Sequence, residues 1–393
     1  MSKRANKTIL FLLHPAIVLV FAYFIVSWIM GSIHSLAFFG VLEESGEIPM
    51  SDTYMYINSR KDPAQLNTDI TLVNIDSCKN RIEIARLIEQ IDSLQPKVIG
   101  LDVFFRNRKG PKEDMILEDA VRKSKNIVIS CILGDEYQES NDTYSSCNRN
   151  FFVVPKDSLT EGFINLDSDG GSTVQTFTPR LYLKNENSLD TLYSFAAQIV
   201  ELSNESAFQK LHSRSGTPEL IHYRPLRFYE INKDEIADDP ELITGKTVLI
   251  GSLSEDMHKT PVNPQMHGLE IHAQIISMVL EGKYIDKLDN VWTKMLNILL
   301  CYLFTLFCWF AATRLRKGVH IFVKMAEVAI VVLTFFAGYY LFNHYQIVIT
   351  YTKAIIVMGI VFLVVELYHV SIEFIEKYIH KIKIFKRNEK DNS

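Results

Sequence analysis

Four apolar stretches long enough to cross a bilayer divide this chain, one near its start and three near its end. They run roughly from Thr8 to Met30, Trp292 to Ala312, Phe322 to Phe342 and Ile347 to Tyr368. A helix needs about 20 apolar residues to cover a hydrocarbon core of about 30 Å, and each stretch reaches that length. Between the first and second lies a polar block of about 260 residues, ample for a domain with its own core.

The flanking charges give the block a side. Lys3, Arg4 and Lys7 precede the first span, Arg314, Arg316 and Lys317 lie between the second and third, and Lys377, Lys381, Lys383, Lys386 and Arg387 follow the fourth. Four crossings put all three basic clusters on one face, which the positive-inside pattern makes cytoplasmic. The short turn Asn343-His344-Tyr345-Gln346 then lies outside. The first stretch exceeds a signal-peptide core and Gly31 to Ser35 forms a poor cleavage site, so it reads as an uncleaved anchor. The expected organisation is a basic cytoplasmic N-terminus and first span (1–31), an extracytoplasmic domain (32–291), three spans (292–368) and a short basic cytoplasmic tail (369–393).

Composition fits a mixture of spans and a globular domain, with 48% hydrophobic and 22% charged residues. The net charge of −5 hides an asymmetry, because the cytoplasmic ends are basic and the outer block acidic. That balance argues against nucleic acid as a partner. Cys301 and Cys308 are seven apart in the second span, share a helical face and read as small packing residues. In the outer block, where disulfides persist, Cys131 and Cys147 bracket a polar loop and are the candidate bridge, leaving Cys78 free.

Periodicity organises the outer block. Glu43 to Ala64 is a mixed connector with helical turns, followed by a β-branched run, Ile70 to Ile75, that ends at Asp76. Arg81 to Leu94 carries Ile84, Leu87, Ile88 and Ile91 at helical spacing. Val98 to Leu101 is a second buried strand ending at Asp102, Leu117 to Ser124 a second helix, and Ile127 to Ser130 a third strand. Strands and helices alternating at this spacing predict a parallel sheet covered on both faces. Further on, Gly162 to Asn165 leads into a tight turn at Asp167 to Gly171, and Val174 to Leu183 alternates like an edge strand. Ser194 to Leu202 is helical, Leu220 to Tyr223 a short strand, Thr247 to Ile250 a buried strand between glycines, and His272 to Leu280 the last outer helix. The predicted fold is an α/β extracytoplasmic domain with a mainly parallel sheet plus an antiparallel edge, inserted between one N-terminal and three C-terminal transmembrane helices.

Several motifs recur in a recognisable order: Val-Asn-Ile-Asp at 73–76, Pro-Lys-Val-Ile-Gly-Leu-Asp-Val-Phe-Phe at 96–105, Gly-Phe-Ile-Asn-Leu-Asp-Ser-Asp-Gly at 162–170, Lys-Thr-Val-Leu-Ile-Gly at 246–251, Lys-Thr-Pro at 259–261 and His-Gly-Leu-Glu-Ile-His-Ala at 267–273. Together they resemble the second family of CHASE domains, the extracellular sensory modules associated with bacterial cyclases and histidine kinases. The likeness covers nearly all of the outer block, and the three trailing spans are typical of the family. Relatives carry a Trp-Pro-Trp-Pro-Arg-like segment before the first helix, whereas Asp76 here is followed by Ser77-Cys78-Lys79-Asn80-Arg81, leaving Arg81 as the counterpart of that arginine. Ser172-Thr173 stand where an arginine often follows the Asp-Gly turn. Relatives continue into an enzymatic output module; the roughly 25 residues after Tyr368 are too few to fold as one.

Asp76 and Asp102 end successive strands, where open α/β sheets place ligands, although an aspartate there equally caps the following turn. Asp256 to Pro261 with His267, Glu270 and His272 is the densest group of ligand-type side chains, yet His267, Glu270 and His272 do not share one helical face. The candidate ligand-binding residues are Asp76, Asp102, Asp256, Thr260, Glu270 and His272; a pocket-shaping loop is favoured over a metal site. Asp167-x-Asp169-Gly170 opens like a calcium loop without its later ligands and reads as a turn. Ser252 lacks the setting of a nucleophile elbow, and no catalytic residue or cofactor motif emerges. Lys324 and Glu327 lie near the start of the third span, at a spacing that lets them pair.

The expected function is a non-enzymatic, membrane-anchored extracytoplasmic sensor in a bacterial cytoplasmic membrane that signals through a separate protein. The alternative is a structural subunit of an envelope complex using the same fold as an interaction surface. Expected partners are the lipid bilayer, a small ligand or envelope protein at the outer domain, a second copy of the chain, and a cytoplasmic or membrane protein at the tail. There Ile372, Ile375, Ile379, Ile382 and Phe385 recur at helical spacing among lysines, a pattern that suits anionic lipid or a docking partner.

Overall fold

A computed structural model describes residues 3–35, 50–134, 137–138, 143–144, 146–154, 157–166, 173–184, 189–214, 218–288, 291–314, 320–349 and 352–391. The chain divides into two units, 52–285 and the two flanking stretches 1–51 with 286–393.

The central unit is built on six parallel strands: β1 (Gln65–Asn74), β2 (Val98–Leu101), β3 (Ile127–Leu133), β4 (Thr160–Phe163), β5 (Leu226–Asn232) and β6 (Thr247–Gly251). Their order across the sheet is β5–β1–β6–β2–β3–β4. Ile70, Leu72 and Val73 of β1, with Val248, Leu249 and Ile250 of β6, are wholly buried, as strands covered on both faces must be. Helices α3 (Arg81–Ser93) and α4 (Pro111–Lys123) cover one face, packing Ile88, Ile91, Leu117 and Val121 on Val73, Ile99 and Ile250. Helices α5 (Phe195–Ser203) and α7 (Gly268–Glu281) lie on the strands of the other face, and α6 (Glu205–Ser213) packs against both.

Local chemistry sets the ends of these helices. The Asn80 side chain accepts from Glu83 N at 3.0 Å to start α3, and Pro111 starts α4 where its missing N–H costs nothing. Ser194 caps α5, and Gly282, at φ +65°, closes α7. At the start of α3, Arg81 is buried against Asp114 and the Asn107 carbonyl and is stacked by Phe105 and Phe151.

The structure corrects several boundaries. Val174 to Leu183 is not one strand: Thr176–Phe177 pairs with Glu219–Leu220, and Arg180–Lys184 with Leu189–Tyr193 in an antiparallel ladder. Pro179, which has no N–H, separates them. Edge strand β5 carries a weak sequence signal because only Phe228 and Ile231 of it are buried, between Arg227, Tyr229 and Glu230. The connector holds a true helix, α2 (Met50–Lys61). The Asp167–Gly171 turn lies outside the described residues.

The flanking unit contains four helices long and apolar enough to cross a membrane: α1 (Lys3–Ser35), α8 (Val291–Arg314), α9 (His320–Tyr345) and α10 (Thr352–Asp391). Val18, Ala22, Cys301, Cys308, Val361 and Val365 form the core of α1, α8 and α10. The fourth span starts later than the hydropathy suggests. Ile347–Ile349 is a strand paired in parallel with Asp286–Leu288, and α9 ends where Gln346 turns to φ +53°. Lys324 does not pair with Glu327. Its ammonium lies 3.4 Å from Glu366, while Glu327 accepts from Phe362 N at 3.0 Å. Apolar grooves of about 610 and 750 Å³ run between α8 and α9 and between α1 and α10.

Candidate functional site

The register of the central strands brings the polar residues together. Asn74 pairs with Gly251 and Leu101 with Ile250, so β1, β6 and β2 finish side by side. Their continuations, Asp76, Ser252 and Asp102, therefore emerge at one carboxyl edge, where an open α/β sheet binds ligands. Backbone bonds fix them, from Ile75 N to Gly251 O at 3.1 Å and from Asp102 N to Ile250 O at 2.8 Å.

The two aspartates have different fates. Asp76 is committed to the fold: Ser252 Oγ donates to its Oδ1 at 2.6 Å and Leu253 N to its Oδ2 at 3.3 Å. Burial acts to raise its pKa, but the bonds from Ser252, Ser254 and Leu253 outweigh it and hold the carboxyl below the usual range. Asp102 has no such partners among the described residues. It keeps some accessible surface, yet protein atoms crowd its carboxyl; that desolvation, with the negative charge of Asp256, pushes it up to about 7.

The loop after β6 supplies an ion pair. Asp256 adopts φ +56°, and His258 Nε2 lies 2.8 Å from its Oδ1. The hydrogen bond between them lowers the carboxyl and raises the imidazole, each against the opposing effect of burial. Asp256 precedes the short strand Met257–His258, which pairs antiparallel with Met266–His267 in a hairpin. That hairpin leads into α7, whose first residue has no side chain. A Cβ on Gly268 would sit 2.3 Å from Asp256 Oδ2, and Gly268 N donates to Asp256 O at 2.9 Å. The carboxylate thus lies against the positive end of the helix.

His272, one turn into α7, is 4% exposed, and Phe195 meets its ring edge-to-face at 5.2 Å between centroids. Desolvation lowers its pKa to about 4; one nitrogen bonds the Ile164 carbonyl, and Nδ1 is buried without a partner. The remaining candidates build the loop. Thr260 Oγ1 donates to Asn263 O at 2.8 Å and accepts from Asn263 N at 3.0 Å. Glu270 accepts from His267 N at 3.2 Å, which caps α7.

Asp102, Asp256 and His272 therefore meet, while Asp76, Thr260 and Glu270 hold the scaffold around them. His258 joins the first group; its spacing of two from Asp256 in a hairpin was the signal for it. No group of His, Cys, Asp or Glu among the described residues has the geometry to hold a metal ion. The expected disulfide is not formed: Cys131 and Cys147 are free thiols. Pairing of Leu133 with Cys147 brings them together, and the hydrogen bond to Cys147, with burial, pushes the Cys131 thiol far up.

Fold and site together define an α/β module attached to membrane helices, with its uncommitted polar groups gathered at one sheet edge. Residues 21–312 match the CHASE2 domain, and the chain belongs to this family of sensory domains. No curated protein and no solved structure matches it.

Proposed function

We propose that the chain is a sensor held by four spans in a bacterial cytoplasmic membrane, with both termini inside and the sheet unit outside. The basic residues Lys3, Arg4 and Lys7 before α1, and Lys377 and Lys381 in the lower half of α10, support that orientation. A small ligand binds at the carboxyl edge of the sheet. One observation carries this reading: His272 Nδ1 is buried without a protein partner beside an Asp256–His258 pair that is already satisfied, and the half-buried Asp102 carboxyl has no hydrogen-bond partner among the described residues. Buried polar groups are otherwise bonded in nearly all cases, so the imidazole nitrogen left bare at this edge calls for a third party.

The role is recognition rather than catalysis. Ser252, the hydroxyl nearest the edge, donates to Asp76 and not to an imidazole that could activate it. Output passes to a separate membrane or cytoplasmic protein. Phe374, Ile375, Tyr378 and Ile379, in the lower half of α10, are 46–70% exposed and offer an apolar face for it.

The test is a melting screen of the full chain in detergent against a small-molecule library, run in parallel on Asp102→Asn. Compounds that raise the melting temperature of the wild type alone support the reading. A library without any such compound, together with stoichiometric recovery of one envelope protein under every growth condition, would replace sensing by a scaffolding role.

A further inference from the structure

Two acceptors at the carboxyl edge, the Asp102 carboxylate and His272 Nδ1, have no protein donor bonded to them among the described residues, and this asymmetry specifies what fits there. Asp256 and His258 neutralise each other at 2.8 Å. Asp102 has no cation of its own. It lies two residues after Gly100, whose absent side chain makes room for Ile199 and Phe195, and strand alternation puts Asp102 on that same face. Phe195 also packs on the His272 ring, so the carboxyl and the imidazole belong to one side of the sheet. The Ile164 carbonyl can only accept, so the His272 nitrogen bonded to it carries the proton and Nδ1 is left as a bare, buried acceptor.

We propose that this edge binds a small primary amine as its ammonium ion, with Asp102 and His272 Nδ1 accepting its N–H groups while the Asp256–His258 pair stays intact beside it. The inference rests on the edge being the sensor's ligand site, and adds the class of ligand. An ammonium brings three donors and no acceptor, matching two bare acceptors. A neutral ligand would leave the Asp102 carboxylate uncompensated or protonated beside Asp256, and an anion would add to the negative charge. Between residues 52 and 285 the chain has 35 Asp and Glu against 25 Lys and Arg, a field that favours the approach of cations.

Binding is coupled to a proton. The charged groups acting on Asp102 are Asp256 and His258 from the loop; His272 from α7 and His267 act on Asp256, and Asp76 is tied to Ser252. Because burial and Asp256 raise Asp102 to about 7, the free carboxyl is largely protonated below that pH. The ammonium takes the proton's place: the O–H bond of Asp102 breaks, the proton leaves to solvent, and the carboxylate faces the ammonium. Affinity then weakens by about tenfold from pH 8 to pH 6.

Isothermal titration of the full chain in non-ionic detergent tests this, with putrescine and butylamine as probes and 1,4-butanediol and 1-butanol as neutral counterparts. The expected result is binding of the amines alone, proton release that differs between buffers of different ionisation heat, and the tenfold loss from pH 8 to pH 6. Asp102→Asn removes both the binding and the pH dependence. His272→Phe keeps the packing on Phe195 and weakens binding at least tenfold, whereas Glu89→Gln, an exposed site on α3, changes nothing. Equal binding of diols and diamines overturns the amine assignment and leaves the edge as a ligand site. Amine binding that survives Asp102→Asn puts the amine elsewhere and overturns the site. Absence of heat with either amine overturns the proposal, and the library screen then decides separately whether the edge binds anything.

Discussion

Replacing Asp102 by Asn should stabilise the sheet unit, and only above acidic pH. A carboxyl whose folded value exceeds its unfolded one binds its proton more tightly in the folded state. Stability therefore falls as pH rises through the interval between the two and is level beyond it. For Asp102 the interval runs from 3.8 to about 7. At 1.36 kcal/mol per pH unit, this sets a ceiling of about 4 kcal/mol. Asp102 keeps some accessible surface, and solvent screening halves that to about 2 kcal/mol. The tryptophans, Trp28, Trp292 and Trp309, lie in the flanking unit, so intrinsic fluorescence would miss the change. Hydrogen exchange of the Val98–Leu101 amides reads it directly, because these central-strand amides open only with the sheet. At pH 8 protection in Asp102→Asn should exceed the wild type by about thirtyfold, which is what about 2 kcal/mol amounts to, and the ratio should shrink toward one by pH 4. Intrinsic exchange rates cancel in this ratio. A ratio that does not change with pH would refute the assignment of a raised, uncommitted carboxyl at this position.

Other substitutions probe the supports. Arg81→Met strands Asp114 and frees the Asn107 carbonyl, so the urea midpoint should fall; Arg81→Lys recovers part of it, since one ammonium cannot reproduce the guanidinium fork. Gly100→Ala sets a Cβ against the Ile199, Leu249 and Phe195 side chains, which can shift, and should cost about 1–3 kcal/mol in chemical denaturation. Gly162→Ala should cost more in the same assay, because its Cβ meets Phe195 Cα at 2.5 Å and Phe195 N at 2.7 Å, and backbone cannot move aside. Gly268→Ala drives the Asp256 carboxylate off its seat, and imidazole titration by nuclear magnetic resonance should show His258 falling back toward 6.5.

Much of the frame was legible because it is written in short-range patterns. The span lengths, the buried β-branched strands at 70–75, 98–101 and 247–250, and the helical stripe on α3 are each local features that the packed structure preserves. Strand order is not local. Nothing near Asp76 announces that Ser252, 176 residues away, will satisfy it, because this depends on β6 lying between β1 and β2. For the same reason two aspartates that look equivalent in sequence separate into one committed to the fold and one left open. Thr260 and Glu270 also read as ligands until the structure gave their oxygens to Asn263 and His267. In the fourth span hydropathy alone misplaced the start, since Ile347-Val348-Ile349 is as apolar as the helix it precedes, and only its pairing with Asp286–Leu288 marks it as strand.

The position of β6 has a further consequence, for the order in which the molecule can be made. β1 and β2 are synthesised early and are never bonded to each other; the strand that joins them ends at Gly251. A chain emerging from the ribosome therefore cannot close this sheet until some 250 residues have been delivered, and it must hold a strand-wide gap open until then. Pairings of such long sequence separation are slow to form. The loop with Asp256 and His258 follows directly, so the proposed ligand edge is among the last parts of the unit to exist, and a chain interrupted between Leu101 and Thr247 carries β1 and β2 with no strand to join them.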